Sequence, residues 1–217
     1  MRIEGRVGVQ RSSDDQLVPP RIGNQGELIC ADLNPMYYEQ TMRGNAFIYA
    51  VPAAGAVLAA LGTTSAPLIW NPAGSGKVLV ITKVVAGLVA TGTTAAGHIV
   101  YGFQNNLGSQ TGTAAPVVSL TAVAAVNACF GHPNTSVMRF APTTISLTAA
   151  CTFLCSMGGG QATAATTATS PFLFIDDVGG RIQVLPGSAF TVGASGSIAS
   201  TYSVTIYGLE LPLALVA

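Results

Sequence analysis

Residues 70–90 read WNPAGSGKVLVITKVVAGLVA, and the fold class turns on how this stretch is taken. Asn71 to Gly76 is a turn marked by proline and glycine, and the run after Lys77 is rich in Val, Leu and Ile with small residues interspersed. β-Branched side chains lose rotamer freedom in a helix and pack well on a pleated surface. The run therefore predicts a strand over Lys77 to Ala90. Val78, Val80, Val84 and Leu88 are expected on one face of it, and Leu79, Ile81, Val85 and Val89 on the other. With both faces apolar, the strand is expected to lie between two covered layers, inside the domain or against a neighbouring subunit.

The same stretch imitates a phosphate-binding loop. That loop needs G-x-x-x-x-G-K-[ST], because its glycines let backbone N–H groups surround the phosphates and its hydroxyl holds magnesium. Gly76 and Lys77 fit, but Asn71 stands at the first glycine position and Val78 at the hydroxyl position. A strand rather than a helix also follows the lysine. Asn71 to Gly76 reads as a loop whose glycines supply positive φ.

From Ala46 onward, short apolar runs alternate with clusters of Gly, Ser, Thr, Asn and Pro, at the spacing of a sandwich or barrel. Further strands are expected over 46–51, 57–61, 67–70, 98–104, 117–126, 137–140, 145–157, 172–176, 182–185, 189–192 and 202–212. In ISLTAACTFLCSM, residues 145–157, Ile145, Leu147, Ala149, Cys151, Phe153 and Cys155 share one face of a period-2 pattern. Gly158 to Ser170 reads as an exposed loop. The 217 residues suit one large all-β domain.

Charged residues make up only 8% of the chain and hydrophobic ones 49%, against a usual charged share of about 25%. Scarce charge and a two-sided apolar strand together point to a symmetric oligomer. Zero formal net charge gives no basic footprint for nucleic acid. The polar opening MRIEGRVGVQRSSDDQ has no secretory pattern, so synthesis in a cytoplasm is expected. AFIYAVPAAGAVLAAL, interrupted by Pro52 and Gly55, falls short of the roughly 20 apolar residues of a membrane span.

Residues 1–45 hold 11 of the 18 charged side chains and three of the prolines, which disfavour sheet ladders. They read as an extended N-terminal arm ahead of a β-sandwich over 46–217, with one short helical or turn segment around Asn34 to Arg43. Ile22, Leu28, Ile29, Leu33, Met36, Tyr37 and Tyr38 have little reason to occur in a solvated tail.

Candidate chemistry is sparse. Cys30, Cys129, Cys151 and Cys155 form no CxxC pair and have no histidine cluster nearby, so no zinc or redox site is expected. On one strand Cys151 and Cys155 would lie roughly 13 Å apart, beyond disulfide reach, and buried free thiols are expected. His98 is expected to end a loop and His132 to sit in a turn. Adjacent Asp176 and Asp177 cannot face one cleft from a strand; they begin the turn DDVGG and at most touch calcium. No G-x-S-x-G nucleophile elbow is present. Neither a catalytic residue, a metal site nor a cofactor is expected.

Three stretches resemble structural proteins of tailed-phage virions: YYEQTMRGNAFIYA at the end of the arm, NPAGSGKVLVITKV, and the closing RIQVLPGSAFTVGASGSIASTYSVTIYGLELPL. The resemblance covers most of the chain and is weakest over Ser109 to Ser170. It implies a sandwich of jelly-roll type that assembles as a homotrimer on heads, necks or tails, with no active site to carry over. The function it implies is a non-enzymatic head decoration, or cement, protein located in the virion. In that role the arm would hold the major capsid protein or other virion proteins through Arg21, Ile22, Leu28, Ile29, Leu33, Tyr37, Tyr38 and Arg43. One alternative places the same fold in the tail or neck as a fibre or receptor-binding component. Another is a carbohydrate-binding or carbohydrate-active sandwich, which the lack of paired carboxylates disfavours.

Overall fold

The computed structural model describes residues 37–65, 67–90, 97–105, 125–143, 145–147, 150–161, 173–196 and 200–213. The chain divides into two compact units, Met1–Tyr38 and Glu39–Ala217, and the second carries every sheet. It starts before the composition shift at Gly44 because this backbone is tied to the sheets. The Glu210 N–H donates to the Asn45 carbonyl at 2.8 Å, and Asn127 Nδ2 donates to the Gly44 carbonyl at 3.0 Å.

A short helix, α1 (Tyr38–Met42), precedes strands β1 (Ala46–Ala50), β2 (Ala56–Val57), β3 (Thr64–Ser65), β4 (Leu68–Trp70), β5 (Lys77–Ala90), β6 (Gly97–Asn105) and β7 (Val126–Asn127). There follow β8 (Arg139–Ala141), β9 (Ile145–Ser146), β10 (Thr152–Gln161), β11 (Leu173–Asp176), β12 (Ile182–Val184), β13 (Ser188–Ala194) and β14 (Thr201–Pro212). One sheet runs β11-β5-β14-β1-β7, with β12 also on β5 and β2 on β14; the other runs β10-β6-β13-β4-β8. All these pairings are antiparallel.

The pairs are nested. The first strand pairs with the last (β1 with β14), then β4 with β13, β5 with β11 and β12, and β6 with β10, successive pairs falling in alternate sheets. This is the jelly roll: one long antiparallel ribbon rolled into two sheets. The core lies between them. Phe47, Tyr49, Leu79, Ile81, Val84, Val204 and Ile206 from one sheet meet Ile69, Ile99, Tyr101, Phe190 and Val192 from the other. β14 shows the underlying period, with Tyr202, Val204 and Ile206 buried and the residues between them half-buried.

β5 has the predicted limits, but its faces differ from the simple alternation. Tyr207 pairs with Lys83 and Gly208 with Ile81, leaving Thr82 as the extra residue of a bulge. A bulge shifts the phase of every later side chain, so Leu79 and Ile81 share the core face with Val84 and Ala86. Thr82 Oγ1 donates to the Tyr207 carbonyl at 3.1 Å, which satisfies a group that the bulge would otherwise leave unpaired. The outer face is covered only in part: Val78 is buried, Val80 and Val85 are half-buried, and Val89 is exposed.

β13 is covered on both faces, all seven of its residues being buried. Outside it lies a second apolar cluster of Leu68, Trp70, Leu147, Cys151 and Ala189 with Leu61 packed on it. Leu61 reaches the sheet because Gly102 and Gly193 lack side chains; a Cβ at either would come within 3.0 Å of Leu61 Cδ2.

The expected strand over 145–157 is two strands. Between β9 and β10 the Leu147 N–H turns to the Thr63 carbonyl and the Cys151 N–H to the Gly62 carbonyl, at 2.6 and 2.9 Å. The break separates the thiols: Cys151 is buried, Cys129 half-buried and Cys155 exposed, so the expectation of buried cysteines fails at Cys155. β10 also continues through Gln161, into what reads in sequence as loop. Of the expected strand over 57–61, only Val57 lies in β2, and Ala60 forms an isolated parallel bridge to Ala194. The expected strand over 117–126 lies outside the described residues save for its last two positions.

Asn71, fully buried, organises the turn before β5. Its Nδ2 donates to the carbonyls of Lys77 and Val184, both at 2.8 Å, and its Oδ1 accepts from Ser75 Oγ. Its backbone exchanges hydrogen bonds with Ser188 and Gly187. One side chain thus joins the β4–β5 loop to the β12–β13 loop, and Gly76 completes the turn at φ 64°. A buried carbonyl left without its donor costs about 1–3 kcal/mol. Asn71→Ala is therefore expected to lower the unfolding free energy by about 3 kcal/mol, read as a lower urea midpoint. A variant within about 0.5 kcal/mol of the parent would show that the two loops are held by other contacts.

Candidate functional site

Both sheets end on the same side of the sandwich, one at β10 and the other at β11 and β12. No further strand pairs with these edges among the described residues, so the space between the layers opens here. A groove of about 380 Å³ runs between β6, β10 and β13 on one side and β12 on the other, lined by Phe103, Asn105, Leu154, Ile182, Leu185 and Phe190 among others. An adjoining cavity of about 340 Å³ is lined by Tyr101, Cys155, Asp176 and Val178 and shares Leu154, Arg181 and Ile182 with the first. Leu154 and Leu185 of this lining are exposed, and so, on the outer faces of β10 and β11, are Phe153, Leu173 and Ile175. Edge strands with this many exposed apolar side chains are prone to being covered by a partner.

β10 is irregular as well as apolar. Its register against β6 shifts three times between Phe153 and Gly160. Bulges of this kind bend an edge strand and re-aim its side chains, which accounts for the exposure of both Phe153 and its neighbour Leu154.

Beyond residue 45 the chain has seven charged side chains; Asp176 and Arg181 line this opening, and Asp177, next in sequence, pairs with Lys83. Lys83 Nζ lies 3.0 Å from Asp177 Oδ1, and Arg181 Nη2 lies 4.0 Å from Asp176 Oδ1. The Arg181 guanidinium also donates to the carbonyls of Val178 and Asp177, at 2.9 and 3.2 Å. The tight turn that permits this has Gly179 and Gly180 at positive φ. As expected, Asp176 and Asp177 part company here, Asp176 toward Tyr101 and Asp177 toward Lys83. The rim charges neutralise one another and leave an apolar floor.

Two groups of the site, the Tyr101 phenol and the Cys155 thiol, hold their protons. Tyr101 Oη donates to Asp176 Oδ2 at 2.9 Å, and burial, followed by this carboxylate, raises the phenol well above its ordinary value. Burial and then Asp176 push the Cys155 thiol up, against a smaller opposing effect of Arg181. A thiol so placed is less nucleophilic than a free one, because the thiolate is the reactive form. Among the described residues no three His, Cys, Asp or Glu side chains gather to hold a metal ion. Nor is any described helix long and apolar enough to cross a membrane.

His98 lies within β6 rather than at a loop end, its backbone N–H donating to Ser195 Oγ at 2.9 Å. His132 closes a turn through its N–H to the Cys129 carbonyl, and its Nδ1 accepts from the Asn134 N–H. Lys77, the apparent phosphate-loop lysine, instead reaches Glu210 Oε2 at 3.4 Å. Of the arm residues, Arg21, Ile22, Leu28, Ile29 and Leu33 lie outside the described residues. Tyr37 and Tyr38 are exposed, and Arg43 pairs with Glu39 one helical turn away.

The groove residues were not among the sequence candidates. Two signals for them exist: apolar residues at consecutive positions 153 and 154, and the concentration of the body's few charges in Lys83 and Asp176 to Arg181. Comparison of the chain with family models, with curated proteins and with solved structures finds no match.

Tyr49 and Tyr202 are also buried phenols whose proton loss burial disfavours. An unfolded chain releases tyrosine protons near pH 10 while these folded phenols retain theirs. Their contribution to stability is thus complete below about pH 10 and is lost as pH rises further. Urea midpoints are expected to fall between pH 8 and pH 11, and to fall less in Tyr101→Phe. An equal fall in the two proteins would contradict the placement of Tyr101 against Asp176.

Proposed function

We propose that this chain is a non-enzymatic structural protein of a tailed-phage virion, a head decoration protein whose jelly-roll body covers joints in the capsid while residues 1–36 anchor it. The observation that carries this reading is the open edge of the sandwich: an apolar groove with internally paired rim charges, on a body that otherwise exposes little charge. Such a surface has the anatomy of a protein interface, an apolar centre with a polar rim, and its phenol and thiol are held protonated rather than activated. Jelly rolls recur in viral capsid proteins, although fold alone does not assign function. The virion assignment within that class rests on the resemblance of the arm, the first core strands and the closing strands to phage structural proteins. A homotrimer fits this role.

Added to purified heads, the full chain is expected to co-sediment at a ratio set by the capsid lattice. Removing residues 1–36, which keeps α1 and the bonds from Gly44 and Asn45 to the sheets, should leave the body folded and abolish that binding. Truncated protein that still decorates heads would refute the anchoring role. A few copies per particle, located away from the head, would place the protein in the tail or neck instead.

A further inference from the structure

The edge opposite the groove carries a protrusion. β7 ends the first sheet on that side, and the turn after it, Ala128 to Gly131, lifts Phe130 into solvent. At 82% exposure Phe130 is the most exposed large hydrophobic side chain among the described residues, and Val126 on β7 is 52% exposed. The turn is rigidly based. The Ala128 N–H donates to the Ala46 carbonyl at 2.9 Å, Asn127 Oδ1 accepts from the Cys129 N–H at 2.9 Å, and Asn127 Nδ2 reaches Gly44 and Asn134. An aromatic ring held out on a fixed turn loses little freedom when it inserts into a partner.

We propose that this turn of one copy seats in the groove of the next, with Phe130 entering between Leu154 and Ile182, so that copies of the chain associate head to tail. The inference rests on the reading of the body as an assembly module and names its partner. Charge supports the choice of a second copy. Val126 to Gly131 has no charged side chain, and Arg181, the charged residue of the groove lining, is already engaged by Asp176 and by the carbonyls of Val178 and Asp177. Seating the turn therefore leaves no ion buried without a partner, which would oppose binding. A strongly acidic or basic segment finds no unpaired counter-charge there. Size is also sufficient: a cavity of roughly 150 Å³ holds a benzene ring, and the groove has about 380 Å³. Because knob and groove are different surfaces on opposite edges, the contact is heterologous, and repetition gives a closed ring if the rotation permits.

The test uses the full chain and measures mass by size exclusion with light scattering. The parent is expected to run as an oligomer, and Phe130→Ser and Leu154→Glu each as a monomer. Mixing the two variants should give dimers and nothing larger, because one retains the groove and the other the knob. Should Leu154→Glu fail to fold, Leu185→Glu removes the groove from its other wall. A monomeric parent, a Phe130→Ser variant of parental size, or folded variants that remain monomeric when mixed would each overturn the contact. These masses are read without capsids, so failure of the chain to bind heads counts against the virion role alone.

Discussion

The body of this protein depends on one buried carboxylate. Glu210 is fully inaccessible and sits on β14, the strand on which the first sheet is built. It accepts from Tyr49 Oη on β1 at 2.8 Å, from Ser136 Oγ and from the Val137 N–H at 3.1 Å, and it faces Lys77 Nζ at the start of β5. Removing such a charge from water costs several kcal/mol, which close hydrogen bonds must offset. The arrangement therefore tolerates one register: a one-residue slip of β14 would turn Glu210 to the opposite face and strand its partners. The same carboxylate holds the segment after the Phe130 turn, so the base of the protrusion and the centre of the sheet share an anchor.

Much of the fold was legible because its signals are local. The β-branched run after Lys77 and the alternation of Tyr202, Val204 and Ile206 mark β5 and β14, and the turn chemistry of Asn71 to Gly76 marks their neighbour. What failed depends on partners distant in sequence. The phase change at Thr82 arises from pairing with Tyr207 and Gly208. The break between β9 and β10 arises because Leu147 and Cys151 bond to Thr63 and Gly62. The enclosure of β13 on both faces was not foreseen, since Leu61 enters over Gly102 and Gly193, a contact that no period in the sequence encodes. The groove escaped for a similar reason: Leu154 and Ile182 line one groove only because nesting of the strand pairs brings β10 and β12 to one edge.

The surface then explains the composition. With seven charges beyond residue 45, one of them buried in the Glu210 site and four paired with one another, most of the body presents Ser, Thr, Gly and apolar side chains. An isolated monomer with such a surface, an open β-edge and a projecting Phe130 would be prone to self-association. In the assembly role proposed above, that association would be the function, and the groove would be its site. The Tyr101 phenol and the Cys155 thiol, both held protonated, line the cavity beside the groove.

Hydrogen exchange of the full chain over a series of protein concentrations tests the contact most directly, because amide protection reports which segments become covered. Seating of the turn in the groove predicts that amides over 126–131, β10 and β12 slow together as concentration rises, while those of β13, already enclosed, do not change. Exchange that is independent of concentration in the turn and the groove, or protection confined to other surfaces, would contradict it.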